Sequence, residues 1–166
     1  MDSIYLDNAA TTQVRDEVID TMASVLKSNY GNASSIHGFG RSSKSIIESC
    51  RKRIASHFNA LASEIIFTSG GTEADNLVLK SAVKDLKVTH LITSKIEHHA
   101  VLHTVEQLAI DHNIKVSYVS ILSDGSIDYN HLETLLKSSE KTLVSLMHIN
   151  NEIGTILNLQ KVADLC

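Results

Sequence analysis

The chain has 166 residues, 43% of them hydrophobic and 20% charged, with a formal net charge of −4, so it is long enough for one domain with its own core and too apolar to be disordered. The mildly acidic balance speaks against a nucleic-acid surface, because phosphate neutralisation needs clustered Lys and Arg, and the densest basic cluster, Arg51-Lys52-Arg53, would fan out around a helix. No apolar run reaches bilayer-spanning length, Met1–Asp7 carries no signal-peptide pattern, and the two cysteines, Cys50 and Cys166, make neither a disulfide framework nor a CxxC site, so a reducing cytoplasm is the default compartment.

Ile4-Tyr5-Leu6 reads as a short strand. A helix over 14–28 follows, with Val14, Val18, Met22, Val25 and Leu26 at helical spacing. The Gly/Asn/Ser-rich stretch 29–35 breaks it, and a longer helix over 40–58 carries Ile46, Ile47, Cys50, Ile54 and Phe58 as an apolar stripe. Ile65-Ile66-Phe67 is a second short strand that runs into Thr68-Ser69-Gly70-Gly71-Thr72-Glu73. A helix over 72–83 then turns Ala74, Leu77, Val78 and Ala82 inward.

The alternation continues with a strand over 88–93, a helix over 98–112, a strand over 116–121, a turn at 123–126, a helix over 129–138 and a strand over 142–148. From Asn158 a last helix begins, with Leu159, Val162, Ala163 and Cys166 on one face; it stops about two turns in without a C-terminal cap, which reads as a truncation or a boundary between pieces. This is the pattern of an α/β domain with a mainly parallel sheet and flanking helices. Ligands of such sheets bind outside the C-terminal strand ends, which selects the loops at 68–73, 93–99 and 148–154.

In the first loop, two glycines permit close backbone approach and the helix start offers unpaired N–H groups to an anion, with the Thr72 hydroxyl beside them. The loop matches neither GxxxxGK[ST] nor GxGxxG, and an ordinary turn with Thr72 as a cap remains open beside phosphate binding. The second loop holds Glu97-His98-His99. An imidazole there could stack on a flat cofactor or move protons, or merely cap the helix start. A metal site on His99 and His103, with Glu97, is disfavoured because no HExxH or Cys/His cluster accompanies it. In the third loop, Asn150-Asn151 could hydrogen-bond a turn or present an amide to a ligand.

Taken together, five segments resemble the pyridoxal-phosphate cysteine desulfurases of the NifS/IscS type, in the class V aminotransferase group. They are Tyr5-Leu6-Asp7-Asn8-Ala9-Ala10-Thr11-Thr12, Gly31-Asn32-Ala33-Ser34-Ser35-Ile36-His37, Phe67-Thr68-Ser69-Gly70-Gly71-Thr72-Glu73-Ala74-Asp75-Asn76, Thr93-Ser94-Lys95-Ile96-Glu97-His98-His99-Ala100-Val101-Leu102 and Met147-His148-Ile149-Asn150-Asn151-Glu152-Ile153-Gly154. They occur in family order from Ile4 to the last residue.

The resemblance implies the large domain of a fold type I pyridoxal-phosphate transferase, truncated. Residues 1–166 would be its N-terminal segment and the first part of the cofactor-binding large domain, without the rest of that domain or the C-terminal small domain. Gly71 and Thr72 would hold the cofactor phosphate. His98 would stack on the pyridine ring and assist proton transfer, and Asn151 would hydrogen-bond the phenolic oxygen or the substrate carboxylate side. Asp7–Thr12 and Asn32–His37 would line the substrate entrance.

The implied reaction takes sulfur from L-cysteine, giving alanine and an enzyme persulfide that passes sulfur to an acceptor such as an iron–sulfur scaffold protein, in a cytoplasmic homodimer. The family's Schiff-base lysine lies in a Ser-Gly-His-Lys segment, which this sequence does not contain. The aspartate for the pyridine nitrogen is missing as well, Lys95 matches a different family position, and neither Cys50 nor Cys166 matches the persulfide cysteine. The chain alone is therefore expected to be inactive. A selenocysteine lyase or another class V lyase or transaminase is an alternative, as is a non-catalytic phosphate-binding module.

Overall fold

A computed structural model describes residues 3–138 and 140–166, so Met1 and Asp2 of the N-terminal segment lie outside the described residues. The chain divides into two compact units, Met1–Phe67 and Thr68–Cys166.

The first unit is helical: α1 spans Asp16–Ser28, α2 spans Gly38–His57, and a single 3-10 turn spans Ala62–Glu64. The acidic pair Asp16 and Glu17 opens α1 and Lys27 closes it, which suits the helix dipole. None of its residues is buried, so the apolar stripe at Val18, Met22 and Leu26 is open. On α2 the stripe is only partly covered. Ile46 and Ile54 are half-buried, whereas Cys50, expected inside, is exposed.

Both short strands expected in this unit are absent. Residues 4–6 and 65–67 form no ladder, and three residues cannot hold a strand without a partner. The Ile65 carbonyl instead accepts from the Arg51 guanidinium, which also stacks over the Phe67 ring at 4.7 Å. Gly40 is required by packing: a Cβ there would meet the Asn32 carbonyl oxygen at 2.6 Å, so the 29–37 loop lies directly on the start of α2.

In the second unit, α3 (Gly71–Lys84), β1 (His90–Ser94), α4 (His99–His112), β2 (Lys115–Val119), α5 (Tyr129–Leu136), β3 (Thr142–Val144) and α6 (Leu159–Leu165) follow in order. The sheet is parallel with order β2-β1-β3. Every residue of β1 is buried, as a central parallel strand demands. Its side chains alternate between two cores. Leu91 packs with Leu79, Ala82 and Val83 of α3 and Val101, Val105 and Leu108 of α4. Ile92 packs on the other face with Val119, Ile127, Leu132 and Leu157, against which Val162 and Leu165 of α6 also pack.

At about 1.5–3 kcal/mol for each fully buried Leu or Ile, these two clusters carry the unit's stability. Apart from shifts of one or two residues at element ends, two differences from the periodicity have a visible cause. On α3 it is Leu79, Ala82 and Val83 that are buried, while Leu77 and Val78 are exposed, because β1 and α4 cover a face rotated by about one residue. The third strand ends at Val144 rather than His148 because the Met147 N–H turns away to the Glu97 carboxylate. Among the described residues no helix is long and apolar enough to cross a membrane.

Candidate functional site

The order β2-β1-β3 means that the chain leaves β1 for β2 on one side and later returns to pair β3 on the other. The crevice between the carboxyl ends of β1 and β3 is thus a topological switch point, where open α/β sheets bind ligands. Two of the three selected loops leave these strand ends. The third, residues 68–70, leads into α3 from no strand, but its helix starts beside α4.

Hydrogen bonds link helices α3 and α4 and join the loops after β1 and β3. Asn76 in the first turns of α3 donates through Nδ2 to the Thr72 carbonyl (2.9 Å) and, at 3.5 Å, to the carbonyl of Ala100 in α4. The loop after β1 and the loop after β3 are joined twice: Met147 N–H donates to Glu97 Oε1 (2.9 Å), and Asn150 Nδ2 donates to the Ile96 carbonyl (2.8 Å).

At the start of α3, Ala74 N–H is the first to find a helical acceptor, the Gly70 carbonyl at 3.1 Å. The N–H groups of Gly71, Thr72 and Glu73 precede it and are the orphan donors of a helix start. Gly71 and Thr72 are exposed, and a Cβ on Gly70 or Gly71 would meet nothing within 4 Å, so the space before these donors is open. Glu73 folds back so that its carboxylate accepts from Ser69 N–H (2.6 Å), and the hydrogen bonds from Ser69 hold this carboxyl below its usual range. Thr72 is the second helical residue, not the cap; Gly70 holds the cap position.

His98 is the N-cap of α4 and is exposed. Its Nδ1 accepts from Ala100 N–H at 3.1 Å, so this nitrogen carries the lone pair and the proton of the neutral ring sits on Nε2. The capping role and an outward-facing ring are therefore compatible. The ring of His99 stacks on that of His103 (5.2 Å between centroids), and the described residues hold no group of three or more metal-ligating side chains.

The two asparagines separate cleanly. Asn150 is 7% exposed and serves the turn, with Oδ1 accepting from Glu152 N–H (2.9 Å) and Ile153 N–H (3.1 Å) while Nδ2 reaches Ile96. Asn151 is exposed. The sequence raised Asn150 only together with Asn151, and Glu97 only within the disfavoured metal reading; the structure gives both a supporting role. Glu97 is a 9% exposed carboxylate whose Oε1 accepts from both Ser94 Oγ (2.8 Å) and Met147 N–H. Burial pushes its pKa up, more than those hydrogen bonds pull it down, and Asp75 adds to the rise. Its signal in the sequence was a carboxylate three positions after the end of a fully buried strand.

The Asp7–Thr12 and Asn32–His37 segments belong to the first unit. The former turns at Asp7, whose carbonyl accepts from Ala10 and Thr11 N–H (3.2 and 3.3 Å). In the latter, Asn32 Oδ1 accepts from Ser34 N–H (2.9 Å), and His37 caps α2.

Residues 4–166 match the family model described as Aminotransferase class-V. The chain is 44% identical over 98% of its length to a cysteine desulfurase IscS of Dictyoglomus turgidum, and 41% identical over 98% to one of Methanosarcina thermophila. It spans 41% and 40% of the length of these two relatives. Among solved structures, a NifS-like protein superposes with a TM-score of 0.88 at 37% identity, covering 95% of this chain and 43% of that one. A structure titled as SspA in complex with cysteine superposes at 0.84 with 32% identity, covering 95% of this chain and 45% of that one. The match runs through all three loops of the switch point, and the chain belongs to the class-V aminotransferase family.

Proposed function

We propose that the chain is the N-terminal portion of a pyridoxal-phosphate-dependent cysteine desulfurase: the N-terminal segment and the first part of the large domain. What supports this reading is that Gly71, Thr72, His98 and Asn151 are all exposed, that the loops carrying His98 and Asn151 are hydrogen-bonded to each other beyond the ends of β1 and β3, and that the chain is similar to cysteine desulfurases over nearly its whole length. Class-V aminotransferases and the IscS and NifS proteins are pyridoxal-phosphate enzymes. When bound, that cofactor supplies an electron sink for cleaving bonds at the carbon it holds.

The residues present fit such a group in kind. Gly71 and Thr72 offer orphan N–H donors, a hydroxyl and an open approach at a helix start, which together suit a dianionic phosphate. His98 offers a flat ring fixed by its cap bond, with Nε2 left to hold or pass a proton. Asn151 offers an amide to an oxygen of the cofactor or to the substrate carboxylate side. The segments Asp7–Thr12 and Asn32–His37 are assigned to the substrate entrance. The substrate is L-cysteine, and the complete protein would be a cytoplasmic homodimer passing sulfur to an acceptor such as an iron–sulfur scaffold.

The test is a calorimetric titration of the chain with pyridoxal 5′-phosphate and, separately, with pyridoxal. The reading expects the phosphate form to bind at least about tenfold more tightly, and Thr72→Ala to remove much of that preference. Equal affinity for the two ligands would refute the assignment of Gly71 and Thr72.

A further inference from the structure

The loops after β1 and β3 are joined by two hydrogen bonds of opposite sense. One uses a side chain from the first loop and backbone from the second, Glu97 with Met147. The other uses a side chain from the second loop and backbone from the first, Asn150 with Ile96. Regular pairing of β1 with β3 has already ended at this point: the last ladder-like bond is Ser145 N–H to the Ile92 carbonyl at 2.8 Å. Beyond it the spacing of the two loops rests on these side chains.

Each clasp residue immediately precedes an exposed one. Glu97 is followed by His98 and Asn150 by Asn151, the two residues assigned to the flat part of the cofactor. A buried residue that fixes the backbone therefore sets the origin of the neighbour that faces outward.

We infer that Glu97 is a positioning residue for the cofactor site, its Oε1 fixing the spacing of the two loops that carry His98 and Asn151. This rests on the proposed function above. Several facts favour a positioning role over a merely structural one. Burying a carboxylate is unfavourable, and the same carboxylate is spent on two acceptor bonds, one within its own loop to Ser94 and one across to Met147. An apolar residue of similar size would serve the core better but could not join the loops.

The experiment uses the full chain in four forms: wild type, Glu97→Ala, Glu97→Gln and Glu97→Asp. Two quantities are read, the affinity for pyridoxal 5′-phosphate by calorimetry and the hydrogen-exchange rate of the Met147 amide by NMR. Glu97→Ala is expected to weaken binding about tenfold or more and to speed Met147 exchange. Glu97→Gln, whose amide oxygen can accept both bonds, is expected to restore both. Should Glu97→Ala fail to fold, Glu97→Asp takes its place, because it keeps the charge but lacks the reach to Met147.

If wild type binds and the clasp-broken variant binds equally well although Met147 exchanges fast, the positioning role is wrong. If Gln fails to rescue affinity while restoring slow exchange, it is wrong as well. Absence of cofactor binding by wild type itself would instead overturn the proposed function, and this inference with it.

Discussion

Substituting the two adjacent asparagines one at a time separates support from contact. Asn150→Ala removes three hydrogen bonds, to Ile96 (2.8 Å), Glu152 (2.9 Å) and Ile153 (3.1 Å), from a side chain that is 93% buried, given its 7% exposure. A net contribution of about 0.5–1.5 kcal/mol per bond puts the loss between about 1.5 and 4.5 kcal/mol. The released N–H groups of Glu152 and Ile153 belong to exposed residues and can be hydrated, so their share lies at the low end. The Ile96 carbonyl is half-buried and loses more. About 2–3 kcal/mol is therefore expected.

Asn151→Ala acts on an exposed residue and should cost about 1 kcal/mol or less. The proposed function reverses this ranking for pyridoxal 5′-phosphate, with Asn151→Ala weakening binding about tenfold. Urea unfolding followed by circular dichroism measures the first quantity and calorimetric titration the second. If Asn151→Ala destabilised the chain as much as Asn150→Ala, or if Asn150→Ala cost less than about 0.5 kcal/mol, the division of labour between them would be refuted.

Other substitutions test the buried polar groups. His90 is fully buried, with Nε2 at 2.8 Å from Ser117 Oγ and Nδ1 at 3.3 Å from Thr142 Oγ1, and burial followed by the Lys115 charge pushes its pKa down against the opposing pull of Glu140. The ring is therefore neutral near pH 7, and the 3.7 Å approach of Glu140 is not an ion pair there. A base with a depressed folded pKa stabilises fully above its unfolded value of about 6.5 and loses that contribution as pH falls below it. Urea midpoints should consequently drop between pH 7 and 5 in wild type and drop less in His90→Gln.

Glu97 works in the opposite sense, since a carboxyl whose folded pKa is raised penalises the fold once pH exceeds its unfolded value, so Glu97→Gln should gain stability over wild type from acid to neutral pH. A wild-type advantage at neutral pH would contradict this. Thr93 is fully buried, and its hydroxyl finds no hydrogen-bond partner among the described residues, so the isosteric Thr93→Val should stabilise by about 1 kcal/mol in chemical denaturation. A loss of stability would show that the hydroxyl is satisfied after all.

The sequence announced most of the second unit and little of how the first is held. The strands expected over 88–93 and 116–121 and the helices over 72–83 and 98–112 are present within a residue or two of those bounds, because each buries a face against a neighbour within the same unit. Residues 4–6 and 65–67 look like strands for the same local reasons, yet a strand is a pairing, and a pairing partner is not written in three residues. Cys50 failed similarly: a stripe at helical spacing tells which face is apolar, and only neighbours decide whether it is covered. On α3 the apolar set was wide enough for two faces, and α4 with β1 selected the one holding Leu79 and Val83.

Within the site the limits of the sequence were chemical rather than periodic. Spacing could not distinguish Asn150 from Asn151, since both are amides on one turn and differ only in direction. Nor could it show that the capping and ring-presenting readings of His98 are not rivals: Nδ1 takes the Ala100 N–H, and the residue is nonetheless exposed. The same economy recurs at Glu97, where one oxygen secures its own loop through Ser94 and the next loop through Met147. A site of this design places its contact residues one position beyond its anchors. At His98 the backbone is extended (φ −61°, ψ 147°), and the buried Glu97 stands directly before this exposed residue. Anchor and contact are therefore separable by single substitutions.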